Sequence, residues 1–104
     1  MSNDPILSRL GFARKAGRLS VGFAKSKEAL EKGISSLIIV AYDVSEKSEK
    51  EIRFFSKGKV TVGRVNYTID EISRIVGLRG GIVSVNDEGF ANAILKFDPF
   101  NYTL

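Results

Sequence analysis

The sequence predicts an α/β domain, a three-layer α/β/α sandwich on a mixed sheet of about four strands, and three observations lead there. Segments with helical and with strand-like patterning alternate along the whole chain. The run Leu37-Ile38-Ile39-Val40-Ala41 is apolar without a break, as a strand covered on both faces should be. The connections between segments are too short to hold a second domain, so residues 1–104 read as a single one.

Taken in order, Ser2 or Asn3 can cap a first helix over residues 5–16, with Pro5 in its first turn, where a missing N–H is harmless. Ile6, Leu10 and Ala13 recur there at helical spacing with Leu7 beside them, and Gly17 is the stop. Residues 18–21 read as a short strand, and Gly22 turns the backbone sharply into a second helix over 23–32. That helix should bury Phe23, Ala29 and Leu30 and end at Gly33. After the central strand at 37–41, Asp43 or Ser45 opens a third helix to about residue 56, with Ile52 and Phe55 inward and Glu46, Lys47, Glu49 and Lys50 in water.

Residues 59–62 are the next strand. Thr68, followed three residues later by Glu71, forms a capping box for a helix carrying Ile69, Ile72, Ile75 and Val76, stopped by Gly77. A strand at 82–85 follows. Asp87 then caps a last helix with Phe90, Ala91, Ile94 and Leu95 inside, before a tail over 98–104 that carries Phe100 and Tyr102.

The charge is one-sided. Up to Gly33 there are seven basic and three acidic residues, and no acid occurs between Asp4 and Glu28, so the whole net charge of +4 sits in the first third. Such asymmetry points to a polyanionic partner. With neither cysteine nor histidine, the chain lacks the commonest metal ligands, the thiolate nucleophile and the commonest general base. No Walker loop, dinucleotide fingerprint or serine elbow appears. Neither an enzyme, nor a metal site, nor a cofactor is expected. The N-terminus does not read as a signal peptide and no segment reads as a membrane span, so a soluble, cytoplasmic, monomeric protein is expected.

Three places could carry binding chemistry. At the Gly22 turn, a strand, a glycine and a helix start bring free backbone N–H groups and the positive end of a helix dipole together, with Lys25 and Lys27 added. The bland account is a turn glycine and a solvated lysine face. Arg14, Lys15 and Arg18 could join those lysines in one basic surface if the 18–21 strand brings the two helix ends together, or they could simply suit a helix C-terminus. The 77–81 loop, Gly77-Leu78-Arg79-Gly80-Gly81, could approach a nucleic-acid backbone closely or serve only as a helix cap and turn. Asp43 reads as a helix cap.

Several stretches together resemble the ribosomal protein L7Ae family of kink-turn RNA binders, and within it the bacterial YlxQ-like branch. They are LGFARKAGRLSVG at 10–22, EALEKG at 28–33, LIIVAYDVSEKSEKEIRFF at 37–55 and DEISRIVGLRGGIVSVNDEGFANAIL at 70–95. The resemblance implies a ribosomal protein L30e-like fold and an RNA-binding edge made of three loops, at 22–28, 42–45 and 77–81. In the family the first loop reads sheared guanine-adenine pairs through a Gly-x-Asn-Glu-x-x-Lys pattern. Gly22 matches that pattern, whereas Ala24, Lys25 and Glu28 stand at the Asn, Glu and Lys positions.

The site expected on these grounds comprises Gly22, Phe23, Ala24 and Glu28 at the first loop, Tyr42, Asp43 and Val44 at the second, and Leu78, Arg79 and Gly80 at the third. Arg14, Lys15, Arg18, Lys25, Lys27 and Arg79 would hold phosphates. The partner expected is structured RNA, ribosomal RNA in particular. The alternative is a ribosome- or RNP-associated interaction module with altered or lost kink-turn specificity, using exposed aromatics from among Phe54, Phe55, Phe100 and Tyr102.

Overall fold

Strands β1 (Leu19–Val21), β2 (Leu37–Val40), β3 (Val62–Arg64) and β4 (Ile82–Val85) form one sheet in the order β1-β4-β2-β3. Both β1 and β2 run antiparallel to β4, while β3 is parallel to β2, so the sheet is mixed. Helices α1 (Pro5–Lys15), α2 (Phe23–Glu31), α3 (Glu46–Ser56), α4 (Ile69–Val76) and α5 (Glu88–Leu95) cover both faces. The structure is a computed structural model that describes residues 4–101.

The unbroken hydrophobicity of β2 follows from its place at the centre. Leu37 and Ile39 face one core, built with Leu10 of α1, Ile72 of α4 and Ile94 of α5. Ile38 and Val40 face the other, shared with Ile52 of α3 and with Phe23 and Leu30 of α2. Because successive strand residues point to opposite faces, a strand lying between two cores must be apolar at every position. Burying each such Leu or Ile contributes about 1.5–3 kcal/mol. Ser84 of β4 is fully buried, and its hydroxyl is satisfied by Ser35 at 2.7 Å and Asn86 at 2.6 Å. Among the described residues no helix is long and apolar enough to cross a membrane.

Several local expectations need correction. The cap of α1 is Asp4, whose Oδ1 accepts from the amides of Ile6 (2.8 Å) and Leu7 (3.2 Å); Ser2 and Asn3 lie outside the described residues. Ser45 rather than Asp43 caps α3, accepting from the Ser48 amide at 3.2 Å. Asp43 reaches instead to the start of α4, where it accepts from the Ile69 amide at 2.8 Å. The third strand is β3 at 62–64, not 59–62, because the parallel ladder sets Val62 opposite Ile38 and Arg64 opposite Val40. Lys57 and Gly58, both with positive φ, use residues ahead of it for the turn out of α3.

In α2 the fully buried residues are Ser26 and Ala29, whereas Phe23 and Leu30 are half-buried. Phe55 is half-buried too, edge-on to Phe23. Phe100 folds back over β3 so closely that a Cβ on Gly63 would lie 2.4 Å from its ring; Tyr102 lies outside the described residues.

Candidate functional site

The pairing of the sheet brings the C-terminal ends of β1 and β2 beside the start of β4, and there the three predicted loops meet. The Gly22 amide donates to the Ile82 carbonyl (2.7 Å), and the Ala41 amide donates to the Gly81 carbonyl (2.7 Å). The 42–45 loop is tied to α4 by the Asp43 cap and by the Tyr42 amide, which donates to the Tyr67 carbonyl at 2.8 Å.

Two glycines make this convergence possible for different reasons. Gly22 sits at φ 101°, ψ 161°, a region that costs an L-residue of the order of 1–3 kcal/mol, although a Cβ there would meet open space. Gly80 is required by contact. A Cβ on it would lie 2.8 Å from Val21 Cγ1 and 2.9 Å from the Gly22 amide nitrogen, so the third loop rests directly on the first.

The first loop opens α2 without a side-chain cap, whereas Asp4, Ser45, Thr68 and Asp87 cap the other described helices. The amides of Phe23, Ala24 and Lys25 precede the first intrahelical bond, from Ser26 to Gly22, and no acceptor among the described residues takes them. Free N–H groups at the positive end of a helix dipole are suited to an anionic oxygen. Lys25, exposed in the first turn, adds a cation with no ion pair among the described residues. Ala24 is exposed, with no polar group to offer a base edge.

The second loop is held by a residue that the sequence reading missed. Arg64, at the end of β3, donates through Nη1 to the carbonyls of Ala41 (3.0 Å), Tyr42 (2.8 Å) and Val44 (2.7 Å), and through Nε to Glu49 Oε1 (2.8 Å). Partial burial pushes the Glu49 carboxyl up, but hydrogen bonds from Arg53 and Arg64 outweigh it and hold the group below the usual range. With its carbonyls fastened inward, the loop leaves Tyr42 55% exposed beside a cleft of about 630 Å³ that it lines with Val44, Glu49 and Arg64.

Other expected residues are placed elsewhere. Lys27 lays its ammonium over the Phe55 ring, 4.2 Å from the centroid, so it braces α2 on α3. Glu28 pairs with Lys32 at 3.0 Å, and this hydrogen bond, with the charges of Lys32 and Lys25, lowers its pKa. Arg79 forms an exposed ion pair with Asp70, and Leu78 is exposed. Arg14, Lys15 and Arg18 do not join Lys25. The strand β1 separates the two helix ends: the Arg18 carbonyl accepts from Asn86 at one end of it, while Gly22 bonds Ile82 at the other. Arg14 and Lys15 instead line a groove between α1 and α4.

Fold and site together define an α/β/α domain with three loops converging at one end of its sheet, joined mainly through backbone. The sequence model of the Ribosomal protein L7Ae/L30e/S12e/Gadd45 family matches residues 4–94, and the chain belongs to that family. It is 29% identical over 91 residues to large ribosomal subunit protein eL30 of Yarrowia lipolytica, covering 85% of this chain and 84% of the relative. A Bacillus halodurans C protein of unknown function has the same fold with a TM-score of 0.80 and 24% identity, over 88% of this chain and 93% of that one. The Giardia lamblia 15.5kD RNA binding protein is similar at a TM-score of 0.70 and 12% identity, over 92% and 87% of the two chains.

Proposed function

We propose that this chain is a non-enzymatic, cytoplasmic RNA-binding protein of the YlxQ-like bacterial branch, which grips a sharply bent, kink-turn-like RNA, ribosomal RNA in particular. The observation that carries the reading is the packing of Gly80 on Gly22 beside the uncapped start of α2. Phosphate oxygens sit on the amides of Phe23, Ala24 and Lys25, and the Lys25 ammonium neutralises one of them. Tyr42 and Val44 face the groove or an unstacked base, since single-stranded or distorted RNA is read by aromatic stacking. The relative named for the ribosome and the structural neighbour named for RNA binding support the partner class.

Ala24, Lys25 and Glu28 change how specificity arises. Without an amide or carboxylate at the first two of these positions, recognition leans on phosphate geometry and RNA shape more than on base edges. The second reading is a ribosome- or RNP-associated interaction module in which kink-turn specificity is altered or lost, and one observation favours it. Phe54 is 73% exposed in the last turn of α3, at the end of that helix away from the 42–45 loop.

Amide chemical-shift mapping with a short kink-turn RNA separates the two. The first reading expects the largest shifts at Gly22, Ala24, Lys25, Tyr42 and Gly80. Shifts absent from those amides, with an intact protein, would sink it.

A further inference from the structure

Arg14 and Lys15, two of the seven basic residues of the first third, have no role at the Gly22 end. We propose that the groove between α1 and α4 is a separate docking surface for an acidic, amphipathic segment of a partner protein.

The groove encloses about 350 Å³, the lower end of the range for small-ligand clefts. Gly11 lets the two helices approach: a Cβ there would lie 3.2 Å from Ile75 Cγ2. Phe12 forms one wall and stands 57% exposed, and Ile75 and Val76 line the groove with it. An aromatic ring left in water on a helix whose neighbours are well packed is an anchor without a partner.

Charge identifies the occupant. The helix α1 contains no acid, and its last turn carries Arg14 and Lys15; the last turn of α4 adds Arg74. None of these three cations has an ion pair among the described residues. The acids of α4, Asp70 and Glu71, lie in its first turn at the far end. An apolar floor rimmed by unpaired cations is complementary to a helix presenting aliphatic side chains on one face and carboxylates beside them. RNA fits less well. The floor between the cations is aliphatic, lined by Ile75 and Val76, rather than a polar track for phosphate and sugar.

The test uses the full chain, isotopically labelled, titrated with a synthetic helical peptide bearing leucines at i, i+3, i+4 and i+7 and glutamates elsewhere. Two control peptides replace the glutamates by lysines or the leucines by serines, and a straight RNA duplex is a fourth probe. The acidic peptide should shift amides of the C-terminal half of α1 and around Gly77, leaving those of Gly22 and Lys25 in place, and both control peptides should fail.

Arg14→Glu/Lys15→Glu, on exposed positions, should weaken the acidic peptide roughly tenfold or more, and Phe12→Ala by a similar factor. Kink-turn RNA binding should survive both, which keeps this proposal separable from the previous one. The charge-reversed variant serves if Phe12→Ala lowers the melting temperature. The proposal is overturned by no shift with the acidic peptide, by equal binding of the serine control, or by RNA shifting the groove amides in preference to the peptide.

Discussion

Replacing Gly80 by alanine tests the joint between the first and third loops. The added methyl would stand 2.8 Å from Val21 Cγ1, 2.9 Å from the Gly22 nitrogen and 3.2 Å from the Gly22 Cα. The first two separations are ones real Cβ atoms essentially never show, so something must move. The Gly22 nitrogen cannot yield easily, because its hydrogen already bonds the Ile82 carbonyl at 2.7 Å. Val21 is fixed in register opposite Val83. The relief available is for the 77–81 loop to lift from the first loop.

Overpacking of this kind costs about 1–3 kcal/mol. For a domain of this size that corresponds to a fall of about 5–20 °C in melting temperature. Gly81→Ala provides the contrast, since the three atoms nearest its Cβ would be side-chain atoms of Val44 and Ile69, with no backbone atom among them. Thermal and urea unfolding of the three proteins gives the comparison, with RNA affinity measured on the same samples. Gly80→Ala should be the less stable variant and should bind RNA more weakly than its residual folded fraction accounts for. A Gly80→Ala protein within about 0.5 kcal/mol of wild type would refute the packing, since that is the range of a neutral surface substitution.

Further predictions concern the supports of the site. Arg64→Ala should free the carbonyls of Ala41, Tyr42 and Val44 and leave Glu49 with Arg53 alone, costing about 1–3 kcal/mol and loosening the 42–45 loop, read by urea unfolding and amide exchange. The lowered pKa of Glu49 adds stability that is present above its unfolded value, near 4.3, and is lost as pH falls through the folded one. The stability gap between wild type and Glu49→Gln should therefore close on acidification below about pH 4, and a constant gap would contradict the pairing. Tyr67 behaves oppositely. Burial first, then the hydrogen bond to Asp4 at 2.6 Å, raises its hydroxyl above the ordinary value, so its contribution is full below about pH 10 and declines at higher pH. Urea midpoints of Tyr67→Phe should fall less steeply than wild type above that pH.

What the sequence could reveal depended on how local the cause was. The Thr68–Glu71 capping box, the Gly77 stop, the Asp87 cap and the 82–85 strand all appear where their signals lie, because each is fixed within a few residues. The third strand was misplaced because Val60 and Val62 offer the same alternation, and only pairing with Ile38 chooses between them. That error also hid Arg64, which acts on carbonyls 20 or more residues away.

Around the site, the Gly22 turn and the 77–81 loop were recognisable as glycine-bearing junctions, while their direct contact through Gly80 was not. The charge run looked continuous in sequence, yet β1 places its two halves at opposite strand ends. Lys27 reads in sequence as one of a lysine pair with Lys25, while its contact with Phe55 depends on the packing of α2 on α3.

The central claim is that the Gly22 end recognises bent RNA through phosphates, and a salt titration of binding tests it most directly. A kink-turn RNA and a straight duplex of equal length would be compared, for wild type and for Lys25→Ala. Affinity for the kink-turn RNA should fall steeply with salt, and Lys25→Ala should reduce the slope of log K against log salt by about one. Wild type should prefer the kink-turn by about tenfold or more, a difference of about 1.4 kcal/mol. Equal, weak binding to both RNAs, unchanged by Lys25→Ala, would contradict the account.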